Sequence, residues 1–413
     1  MKNKKDHFDI IIVGGGASGL MAAIQASECH MDVLVLEHQK KAGVKILSTG
    51  NGRCNLTNSD MSPDRFRCDD PSFFVPALQA FSQTDTIRFF KEKLHLYCHE
   101  KNGYWYPRSN QAAAVREALL AGCRAHSVCI RKHENIQELC KKDDRFSVRT
   151  NRGEYTATAC ILCCGGKAFP KSGSDGSGYR LAKAFGHSIV KPLPALTALY
   201  SDRKELFSLA GVRAAGKVSL FVDDELVLSD LGEVQFTDYG ISGIPVFQVS
   251  RYAAIALHTG KSVLISIDLV PEMSEHELEA YLTNGCKECE ENPGSQLSVL
   301  LNGLLPKKIT EYLLRQTGGA LKDQIRRICE EIKQMSVPIT KTASFTQAQT
   351  TTGGVRVSEI CPETMGSRLA EGLYFAGEMI DLDGACGGYN LQWAWSSGHL
   401  AASSAVDYVR ERN

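Results

Sequence analysis

The first forty residues place a glycine-rich turn between two apolar segments, and this arrangement restricts the fold more than any other feature of the chain. The run 8–13 is β-branched and carries no polar alternation, which is typical of a strand buried on both faces of a parallel sheet. A G-x-G-x-x-G pattern at 14–19 follows at once, and the small and apolar residues of 20–26 predict a helix. A second apolar strand, 33–36, ends in Glu37. This order predicts a β-α-β unit that binds a dinucleotide.

Each part of this unit has a physical role. Gly14 permits the tight turn, Gly16 lets a pyrophosphate approach the backbone, and Gly19 lets the helix and the strand pack closely. The N-terminus of the helix supplies unpaired N–H groups and a partial positive charge. Glu37 follows Gly19 by 18 residues, where its carboxylate can accept hydrogen bonds from a ribose and would repel a 2′-phosphate.

Further glycine-rich segments favour FAD over a nicotinamide as the bound dinucleotide. They lie at 45–58, at 161–166 and at 373–390, and a predicted helix over 391–398 follows the last of them. A cofactor held by both ends of a chain must be long, and FAD spans more of a domain than NAD does. The C-terminal helix would direct its positive end at the flavin. Because no second G-x-G-x-x-G occurs, we expect NAD(P)H to reach the flavin only as a transient co-substrate, through the substrate cavity.

Composition restricts the partners and the compartment. The 413 residues contain 47 Lys and Arg against 47 Asp and Glu, and this balance argues against nucleic acid as a partner and favours a small-molecule substrate. The 15 cysteines fall short of a disulfide scaffold, and the N-terminus shows no secretory signal. No apolar run is long enough to span a membrane. We therefore expect a reduced, cytoplasmic protein with no membrane association and no obligate protein partner.

The middle of the chain is predicted to be an insertion of strands followed by helices. A hairpin is expected around Asp223 and Asp224, and Ser274 and Glu277 have the capping-box spacing of a helix start. The predicted fold class is α/β, a Rossmann-like FAD-binding domain that is split in sequence, with an inserted β-rich domain and a helical subdomain. The expected bounds are 1–192 and 346–413 for the FAD domain, 193–270 and 336–345 for the β-rich domain, and 271–335 for the helical subdomain.

Three long segments make the chain resemble a known family. They read K-I-L-S-T-G-N-G-R-C-N-L-T-N, F-T-D-Y-G-I-S-G, and L-Y-F-A-G-E-M-I-D-L-D-G-A-C-G-G-Y-N-L-Q-W-A-W-S-S-G. Over essentially its whole length the chain resembles bacterial NAD(P)/FAD-dependent flavoproteins, the family that includes 3-dehydro-bile acid Δ4,6-reductase and aminoacetone oxidase. Together with the first β-α-β unit, this resemblance implies an FAD site formed by Gly14, Gly16, Ala17, Ser18, Gly19, Glu37, Lys45, Gly52, Arg53, Cys54, Asn55, Leu56, Ile136, Gly165, Gly377, Glu378, Asp383, Gly387, Gly388, Asn390 and Leu391.

The sequence departs from the family at two places that could face the substrate. In the segment Gly103-Tyr104-Trp105-Tyr106-Pro107, Tyr104 stands where many relatives carry the Arg of a G-R-x-F-P segment, and Asp238 stands where many carry His. The three aromatic residues could form a wall for an apolar ring or simply belong to the packing. Tyr239 and Tyr104 are the candidate catalytic proton donors.

Cysteine chemistry and metal binding are not predicted. The Cys286-x-x-Cys289 pair lies in a charged helical stretch and lacks a second close pair, so we expect no metal site. Cys54 is expected to contact FAD through its backbone rather than to act as a thiol redox partner.

The leading functional hypothesis is an FAD-dependent reductase that uses NAD(P)H. It would deliver a hydride to a C=C bond conjugated to a ketone, and the resemblance implies a bile-acid or steroid-like substrate. One alternative is an oxidase that acts on a small amine such as aminoacetone and returns the electrons to O2. Another is a flavin-binding redox sensor without turnover.

Overall fold

The computed structural model describes residues 7–287 and 293–412. The chain divides into two compact units. Unit 1 comprises Met1–Leu193 and Gln349–Asn413, and unit 2 comprises Pro194–Ala348. The two hydrophobic cores follow this division, since one core draws on both ends of the chain and the other on the insertion.

Both units of the chain contain strands and helices, and four consecutive helices lie between the last two strands of the insertion. In chain order the strands are β1 (His7–Val13), β2 (Val33–Glu37), β3 (Thr57–Asn58), β4 (Phe66–Arg67), β5 (Cys98–Lys101), β6 (Tyr104–Pro107), β7 (Cys129–Lys132), β8 (Ile136–Lys142), β9 (Arg145–Thr150), β10 (Glu154–Leu162), β11 (Ile189–Ala195), β12 (Leu199–Ser201), β13 (Arg213–Val222), β14 (Glu225–Phe236), β15 (Gly240–Gly243), β16 (Val263–Asp268), β17 (Met335–Thr342), β18 (Thr350–Val355), β19 (Leu373–Phe375) and β20 (Asp383–Gly384). The helices are α1 (Ala17–Glu28), α2 (Val75–Ala80), α3 (Gln83–Arg88), α4 (Ala112–Ala125), α5 (Gly178–Lys183), α6 (Ile244–His258), α7 (Glu275–Lys287), α8 (Pro293–Leu304), α9 (Lys307–Gln316), α10 (Leu321–Lys333) and α11 (Tyr389–Arg410).

The main sheet of unit 1 is parallel at its centre. Among the described residues its strand order is β7-β2-β1-β10-β9-β8, and β19 also pairs with β10. The pairs β7-β2, β2-β1, β1-β10 and β10-β19 are parallel, whereas β10-β9 and β9-β8 are antiparallel. The apolar runs of β1 and β2 are buried, as strands covered on both faces require. The predicted Rossmann-like α/β fold, split in sequence, is confirmed, because β19 from the far end of the chain completes this sheet.

Two helices from opposite ends of the chain pack against each other beside the sheet. A Cβ added to Gly398 of α11 would lie 2.6 Å from the backbone oxygen of Ser18 in α1, so only glycine allows this close approach. Trp393 and Trp395 of α11 are both buried although they are two positions apart and so lie on different faces of the helix. Both can be buried because α11 is enclosed on more than one side by unit 1.

Unit 2 combines a β-barrel with helices. The closed barrel has the strand order β12-β15-β14-β13-β16-β17. Asp223 and Asp224, with φ of 49° and 67°, form the two-residue turn between β13 and β14, as the hairpin prediction expected. The predicted capping box opens α7, where the Ser274 N–H donates to Glu277 at 2.8 Å and the Glu277 N–H donates back to Ser274 Oγ at 3.2 Å.

The helices α7, α8, α9 and α10 share one hydrophobic core with the barrel. The division of the insertion into a β-rich domain and a helical subdomain therefore stays a prediction. Cys286 is buried in α7, and Cys289 lies outside the described residues. Of the helices that the structure describes, none has the length and apolar character that crossing a membrane requires.

The half-buried histidine of α11 makes stability depend on pH. His399 packs on the ring of Phe81 at a centroid distance of 4.6 Å, and burial lowers its pKa to about 4. In the unfolded chain this histidine binds a proton with a pKa near 6.5, whereas in the folded protein it stays neutral until about pH 4. The free energy of unfolding therefore falls as the pH drops from 6.5 toward 4. We expect this histidine to account for a loss on the order of 2–3 kcal/mol across that range.

Urea unfolding followed between pH 7.5 and pH 4.5 tests this prediction. The variant His399→Leu should lose less stability over that range than the wild type does. His258→Leu, which changes an exposed histidine at the end of α6, is the matched control and should follow the wild-type curve. Parallel curves for wild type and His399→Leu would contradict the prediction.

Candidate functional site

A cavity of unit 1 opens where the parallel strands end. Its walls include Val13 at the end of β1, Cys163 and Cys164 after β10, and the N-terminal residues of α1 and α11. Ligands of open α/β sheets bind outside the carboxyl ends of the strands, where the chain turns into helices. The cavity therefore occupies the position at which this fold holds a dinucleotide.

The three glycines of the first motif have different spatial roles. Gly14 has a φ of +102°, and an added Cβ would lie 2.4 Å from the backbone oxygen of Cys163. An added Cβ on Gly19 would lie 1.9 Å from the backbone oxygen of Gly14, so this position sets the distance between β1 and α1. Gly16 lines the cavity, and a Cβ there would meet nothing within 4 Å. The space in front of Gly16 is open to a ligand, which is the arrangement that a pyrophosphate needs.

Glu37 is held in a single orientation at the edge of the cavity. Its Oε2 accepts a hydrogen bond from the Gly15 N–H at 2.9 Å, and its Oε1 accepts one from the Gln39 N–H at 2.7 Å. The side chain is buried at the end of β2. Each carboxylate oxygen keeps a second lone pair, so the group can still accept a ribose hydroxyl.

An ion pair joins the two ends of the chain across the cavity wall. Lys45 Nζ lies 2.5 Å from Glu378 Oε2, and both residues line the cavity. Glu378 Oε1 accepts a hydrogen bond from the Thr351 N–H at 3.0 Å. This carboxylate therefore fixes the position of a lysine that supplies positive charge to the wall.

The N-terminus of α11 forms another part of the wall. Gly388 caps the helix with a φ of +97°, and no side chain caps the first N–H groups. Asn390 lines the cavity and holds the preceding turn, since its Oδ1 accepts from the Gly384 N–H and its Nδ2 donates to the Gly384 oxygen, both at 2.8 Å. With α1, the cavity thus has two uncapped helix N-termini, which favour anionic and electron-rich groups.

The fit of FAD to these residues rests on the donor set and on one buried hydroxyl. Ser174 Oγ lies on the cavity wall, is buried, and has no hydrogen-bond partner among the described residues. A buried polar atom of this kind requires a partner, and a bound ligand supplies one. Together with the open space at Gly16, the two helix ends, Glu37 and Lys45, the site fits a dinucleotide with a pyrophosphate centre.

The structure brings about half of the predicted cofactor residues together on this cavity. The residues that line it are Gly14, Gly16, Ala17, Ser18, Glu37, Lys45, Ile136, Gly165, Glu378, Asn390 and Leu391. The predicted residues that do not line it are Gly19, Gly52, Arg53, Cys54, Asn55, Leu56, Gly377, Asp383, Gly387 and Gly388. Several of the second group support the wall, since Gly377 touches Ser18 and Gly388 caps α11.

The wall also contains residues that the sequence analysis did not single out. They include Gly43, Asn135, Ser172, Ser174, Arg180 and Thr350. The run S-G-S-D-G-S-G at 172–178 is rich in serine and glycine and follows the glycine pair after β10, so its sequence could have indicated a ligand-binding loop. The others carried none, because they reach the cavity only through the folding of distant segments.

Arg53 and Tyr104 line a second cavity of unit 1, together with Tyr106, Lys101 and His99. Cys54 is buried beside Arg53, and burial raises the pKa of its thiol to about 12, which disfavours the reactive thiolate. Within the ranges that the structure describes, no cluster of three or more metal-ligating side chains occurs.

Tyr239 belongs to unit 2. Its ring stacks on Tyr200 at 4.5 Å, and burial raises the pKa of its phenol. The neutral phenol is the form that can donate a proton. Its assignment to catalysis stays a prediction.

Comparison with known proteins identifies the family. The sequence model of the family described as 'HI0933-like protein Rossmann domain' matches residues 8–404. The chain belongs to this family. It is 40% identical to the 3-dehydro-bile acid Δ(4,6)-reductase of Clostridium scindens, over 96% of this chain and 98% of that protein. It is also 30% identical to the ribosomal RNA dihydrouridine synthase of Haemophilus influenzae, over 95% of this chain and 97% of that protein.

A solved structure extends the likeness of fold. The 3-ketosteroid Δ1-dehydrogenase of Sterolibacterium denitrificans, in complex with 1,4-androstadiene-3,17-dione, matches with a TM-score of 0.52 at 12% identity, over 98% of this chain and 100% of that one. The resemblance stated from the sequence motifs is confirmed, and the chain is an FAD-dependent oxidoreductase.

Substitution of Gly16 separates the cofactor site from the fold. A Cβ at this position meets no protein atom within 4 Å, and its φ of −81° suits alanine. We expect Gly16→Ala to leave the apoprotein folded and to lower the FAD affinity at least tenfold, because the methyl group takes the space in front of the helix N-terminus.

Flavin absorbance of the purified protein and thermal unfolding of the apoprotein measure the two effects. Gly318→Ala is the matched control, because an added Cβ there also meets nothing within 4 Å and the position lies in unit 2. A Gly16→Ala protein with full flavin content would show that the ligand does not approach this glycine.

Proposed function

We propose that this protein uses NAD(P)H and FAD to reduce a C=C bond conjugated to a carbonyl group. The observation that carries the proposal is the 40% identity, over nearly the full length of both chains, to a reductase of a 3-dehydro-bile acid. The cavity at the strand ends supports it, because its donors fit the cofactor that such a reduction needs. The favoured substrate is a 3-oxo bile acid or a similar steroid with a conjugated double bond.

The residues of the cavity have defined tasks in this reaction. Glu37 would accept hydrogen bonds from a ribose of FAD, the N-terminus of α1 and Lys45 would hold its pyrophosphate, and the N-terminus of α11 would stabilise negative charge on its ring. Bound FAD supplies hydride transfer between NAD(P)H and the substrate. The protein supplies a proton for the carbon next to the carbonyl and hydrogen-bond donors for the carbonyl oxygen.

A second candidate substrate is a uracil ring of ribosomal RNA. The specific observation is the 30% identity to a ribosomal RNA dihydrouridine synthase over 95% of this chain. Uracil also contains a C=C bond conjugated to a carbonyl group, so the hydride and the proton go to equivalent positions in both reactions. The balance of 47 basic and 47 acidic residues argues against an extensive RNA interface, and for that reason we place the bile acid first.

An anaerobic assay of the purified flavoprotein tests the proposal. NADH and NADPH should each be tried for bleaching of the flavin, and one of them is expected to bleach it. A bile acid with a 3-oxo-4,6-diene should then restore the colour, and mass spectrometry should find a product heavier by two hydrogens per reduced bond. The Gly16→Ala protein, which is expected to bind FAD more weakly, is the control with lowered flavin content.

The other outcomes are equally specific. Colour restored by ribosomal RNA, with dihydrouridine in its digest, would establish the second candidate instead. Bleaching by aminoacetone with peroxide formed in air would identify an amine oxidase. A redox sensor would bleach without either substrate restoring the colour, and a flavin that neither nucleotide bleaches would refute the reductase proposal.

The proton donor is tested by removing one hydroxyl at a time. We expect either Tyr104→Phe or Tyr239→Phe to lower kcat for the reduction about 10²-fold or more, because an acid in the transition state contributes at least that much. Where Tyr239→Phe is that variant, the rate of flavin bleaching by NAD(P)H should not change. Tyr106→Phe and Tyr200→Phe are the matched controls, since each removes the hydroxyl of a neighbouring tyrosine. Full activity in both test variants would assign the proton to water.

A further inference from the structure

One short segment of the chain contributes residues to both cavities of unit 1. Lys45 and Thr49 line the cofactor cavity, and Arg53, which follows them in the chain, lines the second one. The remaining wall comes from β5 and β6, which belong to the small antiparallel sheet β3-β6-β5. Residues that would contact a ligand in the second cavity therefore follow closely in sequence on residues that line the cofactor cavity.

The second cavity carries positive charge without a negative counterpart. Arg53 and Lys101 line it, both are exposed, and neither forms an ion pair within 7–287 and 293–412. No carboxylate belongs to the lining. Glu100 is next to Lys101 but on the opposite face of β5, and its carboxylate accepts a hydrogen bond from the Gly103 N–H. The cavity therefore attracts an anion.

The strand register places aromatic rings beside these polar groups. In the β5-β6 pair His99 stands opposite Tyr106, and Lys101 stands opposite Tyr104, so all four side chains share one face. The rings of His99 and Tyr106 lie 6.2 Å apart between centroids. Among the described residues, His99 Nδ1 is buried and has no hydrogen-bond partner. Flat rings beside two cations and an unsatisfied ring nitrogen suit a ligand that joins a planar base to an anion.

We infer that this second cavity binds a phosphate group of a nucleotide, with the attached ring against Tyr104 or Tyr106. The wall offers an Arg, a Lys, a His, two phenols and Asn102, a donor set that matches the several acceptor oxygens of a phosphate. The same donors suit the fused apolar rings of a steroid poorly, since burying them against hydrocarbon would leave them unsatisfied. In this proposal the aromatic side chains that the sequence suggested as a wall for an apolar ring contact the base of a nucleotide instead.

Two nucleotides of the proposed reaction carry this chemistry. One is NAD(P)H, and the other is the RNA strand of the second candidate substrate. The inference rests on the proposed function in one respect, since it takes the bound phosphate to belong to a reactant of that reaction. The two sources are separated by the choice of probe.

Binding to the FAD-loaded protein tests the inference. The probes are NADP⁺ and NAD⁺, which cannot reduce the oxidised flavin and are followed by equilibrium dialysis, and a fluorescein-labelled uridine-containing RNA oligonucleotide, which is followed by anisotropy. We expect Lys101→Met and His99→Asn each to lower the binding affinity for at least one of these probes about fivefold or more. For the RNA arm, loss of one phosphate contact should also lower the slope of log affinity against log salt by about one.

The controls make the outcomes distinct. Lys132→Met removes an exposed lysine at the end of β7, outside the cavity lining, and should bind as the wild type does. Equal flavin content in all variants verifies folding. Wild-type binding of every probe by both variants and by the double variant would overturn the inference. If the wild type reduces neither substrate, the proposed function fails, whereas weakened binding in Lys101→Met still supports the phosphate site.

Discussion

The close packing of α1 against α11 is the contact on which the cofactor site depends. These helices begin 372 residues apart in the chain, at Ala17 and Tyr389, and their approach requires glycine at position 398. The packing directs the uncapped N-termini of both helices into one cavity. Without it, each helix end would be an isolated and weak anion site, whereas together they form one wall for a long cofactor.

Hydrogen bonds and charge secure this junction at the level of single atoms. The Gly377 N–H donates to Ser397 Oγ at 2.9 Å, and Trp393 Nε1 donates to the Gly377 oxygen at 3.2 Å, so the segment before Glu378 is tied to α11. Glu378 then holds Lys45 by the ion pair across the wall. A partly buried pair of this kind contributes less to stability than its geometry suggests, because both charges lose water. Its main effect is to give a cavity-lining lysine one position.

The two proposed substrates differ in structure but would undergo the same class of reaction. A conjugated carbonyl accepts a hydride at the far carbon of its double bond, whether the carbonyl belongs to a steroid or to a uracil. The part of the fold that holds the cofactor can therefore remain the same while the substrate contacts change. The residues that the sequence suggested could face the substrate, Tyr104–Tyr106 and Asp238, do not line the cofactor cavity.

The local motifs of this chain were readable from sequence because their physical causes are local. A strand of β-branched residues, glycines at fixed spacing, a capping serine and an Asp-Asp turn each specify structure within about ten residues, and all four appear at the predicted places. The family followed from long motifs of the same kind. Composition was less informative about charge, since a chain with balanced totals still has a second cavity with two unpaired cations in the part that the structure describes.

Tertiary structure decided which of the candidate residues meet. Lys45 and Glu378 form a pair, Ser174 faces the cofactor cavity with an unsatisfied hydroxyl, and Arg53 lies in the second cavity instead of the first. None of these facts follows from spacing, because each depends on contacts between segments that are far apart in the chain. The sequence by itself determined the β-α-β unit, the dinucleotide chemistry and the family. The fold determined the wall of the site, because a wall exists only where distant segments pack together.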